Sequence, residues 1–246
     1  MLPYFQIISF QLGPLTIYVW GIMVALGILA GTWVAARLAK KRGQNPQMIW
    51  DLAATAALAG IVCGRLFHVV FYDPSFYLAQ PLKIFAMWDG GISITGSLLG
   101  AAGAAFCFLK TRKLPMMAYM DTIAYGSPLA YAIGRIGCFL IHDHPGTLTH
   151  FVLGVRYPDG AVRHDLGLYE ALNGLGLFLL FLVLHRRGAK APTYAIIALI
   201  WYGLLRFLLD FLRVNDARYF SLTPAQYLAA GMFLGGCAWA LKRKRL

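Results

Sequence analysis

Charge is scarce in this 246-residue chain, where only 13% of residues are Asp, Glu, Lys or Arg and just ten are acidic. That is too little to coat a soluble surface of ordinary composition. Cysteine is also sparse: Cys63, Cys107, Cys138 and Cys237 form no CxxC pair and lie in apolar stretches, which argues against a disulfide framework and a thiol-redox motif. No convincing internal repeat is present, which counts against an inverted-repeat transporter. No polar stretch is long enough to form a separate soluble domain.

What the chain has instead is apolar length. Hydrophobic residues make up 59% of it, and runs of about 20 recur from end to end, the length needed to span a bilayer as helix. We read spans at 16–38, 48–71, 93–109, 118–141, 166–184, 193–212 and 224–241. The expected fold is an all-α polytopic integral membrane protein of about seven transmembrane helices, a single transmembrane domain over 1–246. The first run follows an uncharged amino terminus without a basic leader and exceeds a signal-peptide core, so a retained helix is expected. Pro46, Pro115, Pro192 and Pro224 stand where helices should begin.

The net charge of +12 does not indicate nucleic acid, because the basic residues alternate with the spans. Fourteen of the 22 Lys and Arg residues collect at one set of span ends, five at the other, and three lie inside spans. The positive-inside rule then places the amino terminus outside and the carboxyl terminus in the cytoplasm. Two outer connections exceed a simple turn. Segment 72–91 is aromatic and Gly/Pro-punctuated, as an interfacial or re-entrant element would be, and 142–165 is polar, as an exposed loop would be.

The three arginines inside spans are Arg65, Arg135 and Arg206. Counted back from the outer ends at about 1.5 Å per residue, each falls about 9–10 Å below one membrane boundary. An unpaired guanidinium there costs about 2.5–3.5 kcal/mol on insertion scales, so each requires a carboxylate, a wet cavity or an anion. Asp210, four residues after Arg206, and Glu170, near the start of run five, give two carboxylates for three arginines. The surplus positive charge suits a phosphate, which the guanidinium fork grips through parallel N–H bonds. An outer-leaflet cavity for a phospholipid head group is expected.

Around Arg135 the chain reads Gly134-Arg135-Ile136-Gly137-Cys138-Phe139. Other motifs follow in order: Leu12-Gly13-Pro14 with Gly21, Gly64-Arg65 with Phe71-Tyr72, Trp88-Asp89-Gly90-Gly91-Ile92-Ser93, His164 with Tyr169-Glu170, and Tyr202-Gly203 with Arg206. Over nearly its whole length the chain resembles the bacterial prolipoprotein diacylglyceryl transferases. The resemblance implies a multi-pass enzyme of the bacterial plasma (inner) membrane, acting at its outer face without a cofactor. It would take the diacylglyceryl group of phosphatidylglycerol and attach it to the lipobox cysteine of a prolipoprotein, releasing glycerol phosphate. Arg135 and Arg206 would hold the phosphate, with Asp210 and Glu170 orienting them; Arg65, Asp89, Gly90, Gly91 and Cys138 would complete the substrate site.

The chain departs from the family pattern on the acceptor side. Thr95 stands where a histidine follows the Gly-Gly-x-Ser-x unit, Trp20 replaces a tyrosine, Cys138 and Ile141 replace asparagines, and Asp143 replaces a glutamate. Threonine has no useful basicity at neutral pH, so a transferase needs another base for the thiol. His164 is the first choice and His142 the second. The alternatives are transfer to a different nucleophilic acceptor, or a phospholipid-binding membrane protein without catalysis. His142-x-His144 with Asp143 gives too few fixed ligands for a metal to be expected.

Overall fold

The structure, a computed structural model, describes every residue except Pro14, Trp88, Asp89, Asn215, Ala217 and 244–246. Each apolar run contains a helix: α1 Val19–Lys41, α2 Pro46–Phe71, α4 Ile94–Thr111, α5 Met116–Ile141, α6 Leu166–Arg186, α7 Thr193–Leu209 and α8 Pro224–Arg243. The short helix α3, Pro74–Ala79, and a 3-10 turn, Pro81–Phe85, lie between α2 and α4. Among the described residues five helices, α1, α2, α4, α6 and α7 with its 3-10 extension to Leu212, are long and apolar enough to cross a membrane. This is the architecture of a multi-pass membrane protein. Large apolar side chains such as Leu58, Phe71 and Leu98 face outward, as a lipid solvent requires.

The chain forms two compact units, Ala39–Tyr119 and Met1–Leu38 with Met120–Leu246. In the first, α2 packs on α4 through small residues. A Cβ at Gly96 would sit 2.7 Å from the Cys63 carbonyl, and one at Gly100 would sit 2.7 Å from that of Ala59, so the backbones touch where the glycines are. Asn45 caps α2 by accepting the Gln47 N–H at 2.9 Å, with Pro46 at the first helical position.

In the second unit, Leu38, Tyr125, Leu177, Phe181 and Tyr194 form the apolar core. Pro128 lies inside α5 and cannot donate to the Ala124 carbonyl; the Ser127 hydroxyl does so at 3.0 Å, which lets the helix run on. Gly167 brings α6 onto α5, since a Cβ there would meet the Phe139 nitrogen at 2.6 Å.

Strands occur where the sequence suggested none. Run one does not begin as helix at residue 16: β2, Ser9–Leu12, and β3, Leu15–Tyr18, form an antiparallel hairpin turned at Gly13, whose φ is +62°. An apolar run that short fits strand and helix equally well, and hydrophobicity cannot separate them. Segment 142–165 likewise carries β4 Pro145–Leu148, β5 Val155–Arg156 and β6 Val162–Asp165. With β1, Leu2–Pro3, they make a four-stranded sheet in the order β1-β5-β6-β4, in which only β1 and β5 run parallel. Val155 at its centre is fully buried.

Candidate functional site

Helix α6 begins where β6 ends, and Asp165 makes the junction. One carboxylate oxygen accepts the Leu168 N–H at 3.0 Å, capping the helix, while the other lies 2.6 Å from His142 Nδ1 and accepts the Tyr157 hydroxyl at 3.1 Å. Burial beside this carboxylate pushes the Tyr157 phenol above its ordinary range, so it stays an O–H donor. Glu170 follows a little over one turn later. Its carboxylate is 1% exposed and is the centre of a charged cluster.

Three guanidiniums converge on that cluster. Arg135 Nε from α5 lies 2.7 Å from Glu170 Oε2, and Arg206 Nη1 from α7 donates to Oε1. Arg213, just past the 3-10 turn Asp210–Leu212, reaches Oε1 at 3.9 Å. Asp210, fully buried, supports the other side: Oδ1 is 3.2 Å from Arg206 Nη2 and 3.1 Å from Arg213 Nε. Its Oδ2 accepts the hydroxyl of Thr223, which caps α8 in a reciprocal box with Gln226. The Arg135 guanidinium also lies 5.2 Å from the Tyr131 ring, and its Nη1 is 3.8 Å from Cys138 Sγ. Two buried carboxylates thus serve three arginines, with the exposed Asp216 a further partner for Arg213 at 3.2 Å. The buried part of the cluster carries one positive charge in excess, balanced among the described residues only by the exposed Asp216, and the arginines keep donors beyond these pairs, the chemistry that binds a phosphate.

Arg213 is one of the five basic residues at the outer span ends, where its place in the sequence alone gives it no part in the site. Its signal was present: 206, 210 and 213 are spaced by four and three, one face of a helix. Arg65 has a different environment, within its own unit. Its Nε donates to Ile84, Nη1 to Gly90 and Gly91, and Nη2 to Lys83 and Ala86, so all five N–H groups end on backbone carbonyls. Gly90 and Gly91 have φ of +83° and +75°, which turns their carbonyls onto that guanidinium. The same two glycines line an open pocket of about 440 Å³ with His68, Asp73, Phe76 and Tyr77. Asp89 lies outside the described residues.

The histidines also separate. His142 is enclosed by Tyr4, Phe5, Phe139 and Tyr157, its side chain without solvent exposure. There it fastens the end of α5 to the start of α6. His164 on β6 is half-buried, with Nδ1 2.7 Å from the Tyr169 hydroxyl. Burial lowers its pKa from the ordinary value, so the ring is neutral at pH 7 and able to accept a proton.

A sequence model of the family described as prolipoprotein diacylglyceryl transferase matches residues 7–242. The phosphatidylglycerol-prolipoprotein diacylglyceryl transferase of Geobacter sulfurreducens is 34% identical over 248 residues, which cover 97% of this chain and 95% of that protein. Those of Ectopseudomonas mendocina and Azotobacter vinelandii are 35% and 36% identical, each over 99% of this chain and 98% of their own length. Both the matched length and the helices that carry the charged cluster lie within these bounds, and the chain belongs to the prolipoprotein diacylglyceryl transferase family.

Proposed function

We propose that this chain transfers the diacylglyceryl group of phosphatidylglycerol to the lipobox cysteine of a prolipoprotein at the outer face of the bacterial plasma membrane. In this reading all seven long helices span the bilayer, with the amino terminus outside. The observation that carries the proposal is the cluster of Arg135, Arg206 and Arg213 on two buried carboxylates.

The reaction is a displacement at a glycerol carbon. A carbon–sulfur bond to the acceptor cysteine forms as the carbon–oxygen bond to phosphate breaks, and glycerol phosphate departs with the electron pair. The arginines hold the phosphate in the ground state and neutralise the charge that grows on its bridging oxygen. Glu170 and Asp210 fix the guanidiniums so that little reorganisation accompanies the step. The thiol proton goes to His164, the histidine kept neutral by partial burial. Arg65 has no free donor and supports the segment from Lys83 to Gly91 instead.

Purified protein incubated with labelled phosphatidylglycerol and a lipobox peptide should move the label to the peptide cysteine. Arg135→Ala and Arg206→Ala should each lower the rate about 10²–10³-fold, and lysine should not restore it, because an ammonium lacks the two-pronged grip. Bound phosphatidylglycerol without transfer, where another family member works in parallel, would instead make this a lipid-binding protein.

A further inference from the structure

We propose that Cys138, Asp143 and His144 form a binding site for one divalent cation of the zinc class. Helix α5 ends at Ile141, and His142, with a φ of +50°, reverses the chain so that the next two residues fold back toward Cys138. One donor atom from each, a sulfur, a carboxylate oxygen and an imidazole nitrogen, lies within 4.8 Å of the other two. Bonds of about 2.0–2.3 Å in a tetrahedral zinc centre put its donors about 3.3–3.8 Å apart, within reach of side-chain rotation.

The donor set selects the ion. Sulfur disfavours magnesium and calcium, which take oxygen, whereas sulfur, imidazole and carboxylate together suit zinc and its spectroscopic substitute cobalt. His144 Nδ1 lies 2.8 Å from the Asp143 carbonyl, the kind of contact that orients a ligating imidazole. Beside Asp143 and His144 opens a pocket of about 60 Å³, lined also by Pro145, Leu166, Arg213 and Asp216, room for water as the fourth ligand. The spacing of His142 and His144 points to a different pair from the one the fold assembles: His142 is committed to Asp165, and Cys138 takes its place. Arg135 Nη1, 3.8 Å from the same sulfur, competes with a cation for it. This site adjoins the arginine cluster of the transferase reading, yet it can be tested without turnover.

The full chain, purified in detergent and stripped with a chelator, should take up one equivalent of Co²⁺ with a sulfur-to-cobalt absorption band that Zn²⁺ displaces. Cys138→Ser should remove the band, Cys63→Ser should keep it, and His144→Ala and Asp143→Asn should each weaken binding at least about tenfold. As a second measurement, X-ray absorption at the zinc edge should show one sulfur bound to the ion in the parent and none in Cys138→Ser. A folded parent without the band, a band that survives Cys138→Ser, or bound zinc without a sulfur neighbour would overturn the site.

Discussion

Replacing Glu170 with glutamine preserves its shape and removes the one charge that touches Arg135 and Arg206 together. Glu170 is 1% exposed, so solvent screens the loss little, and among the described residues the cluster is left with Asp210 as its buried carboxylate. Breaking a buried ion pair on one side costs about 3–5 kcal/mol, because the surviving charge stays desolvated. For a domain of this size each kcal/mol moves the melting point by about 2–4 °C, so even the lower figure predicts a fall of about 6–12 °C. The lipid should matter. A phosphate held by the same arginines replaces part of the missing charge, so the fall should be smaller in detergent with phosphatidylglycerol than with diacylglycerol, a lipid that has no phosphate. Melting followed by tryptophan fluorescence in the two lipids measures both effects. A Glu170→Gln protein that melts within about 2 °C of the parent, or falls equally in both lipids, refutes the account of a carboxylate-braced phosphate site.

Three further outcomes follow from other parts of the molecule. Burial lowers the His164 pKa, so transfer should stay level as pH drops through the ordinary histidine value of about 6.5 and decline only below it; His164→Gln should cost about 10²–10⁴-fold and abolish that acid limb, and a limb that persists places the base elsewhere. Arg65→Ala strands five carbonyls, and at about 1 kcal/mol or more each, tryptic cleavage after Lys83 should quicken more than tenfold; Arg65→Lys, with three donors, should fall between, and unchanged cleavage would count against the bracing role. Gly167→Ala forces a methyl to within 2.6 Å of the Phe139 nitrogen and 2.9 Å of the Cys138 carbonyl carbon, which should cost about 1–3 kcal/mol in thermal stability, while Gly235→Ala, facing open space, should melt like the parent.

The helices were legible because apolar length and proline placement are strong local signals, and the seven runs match the long helices to within a few residues at most ends. The strands were not. Ser9–Tyr18 is too short for periodicity to act on, and β4 to β6 are stabilised by pairing with each other and with Leu2–Pro3 across more than 150 residues, which no local pattern records. Glu170, Arg135, Arg206 and Asp210 could be anticipated because charge in an apolar run demands a partner. Arg213 could not be ranked with them by that argument, since at a span end an arginine is ordinary. The crowding of His142 by Tyr4 and Phe5 depends on where the amino terminus lies, and sequence alone made His142 a plausible base.

The saturation of Arg65 has a consequence for how the chain is made. Its five carbonyl partners lie 18 to 26 residues downstream, so when α2 first leaves the ribosome none of them has emerged to receive the guanidinium. An arginine inside a nascent span costs about 2.5–3.5 kcal/mol until it is partnered. Helix α2 is therefore a poor independent client of the insertion machinery. It should remain at the translocon's edge until the segment through Gly91 has emerged, and then partition into lipid together with α4, whose glycines are shaped to receive it.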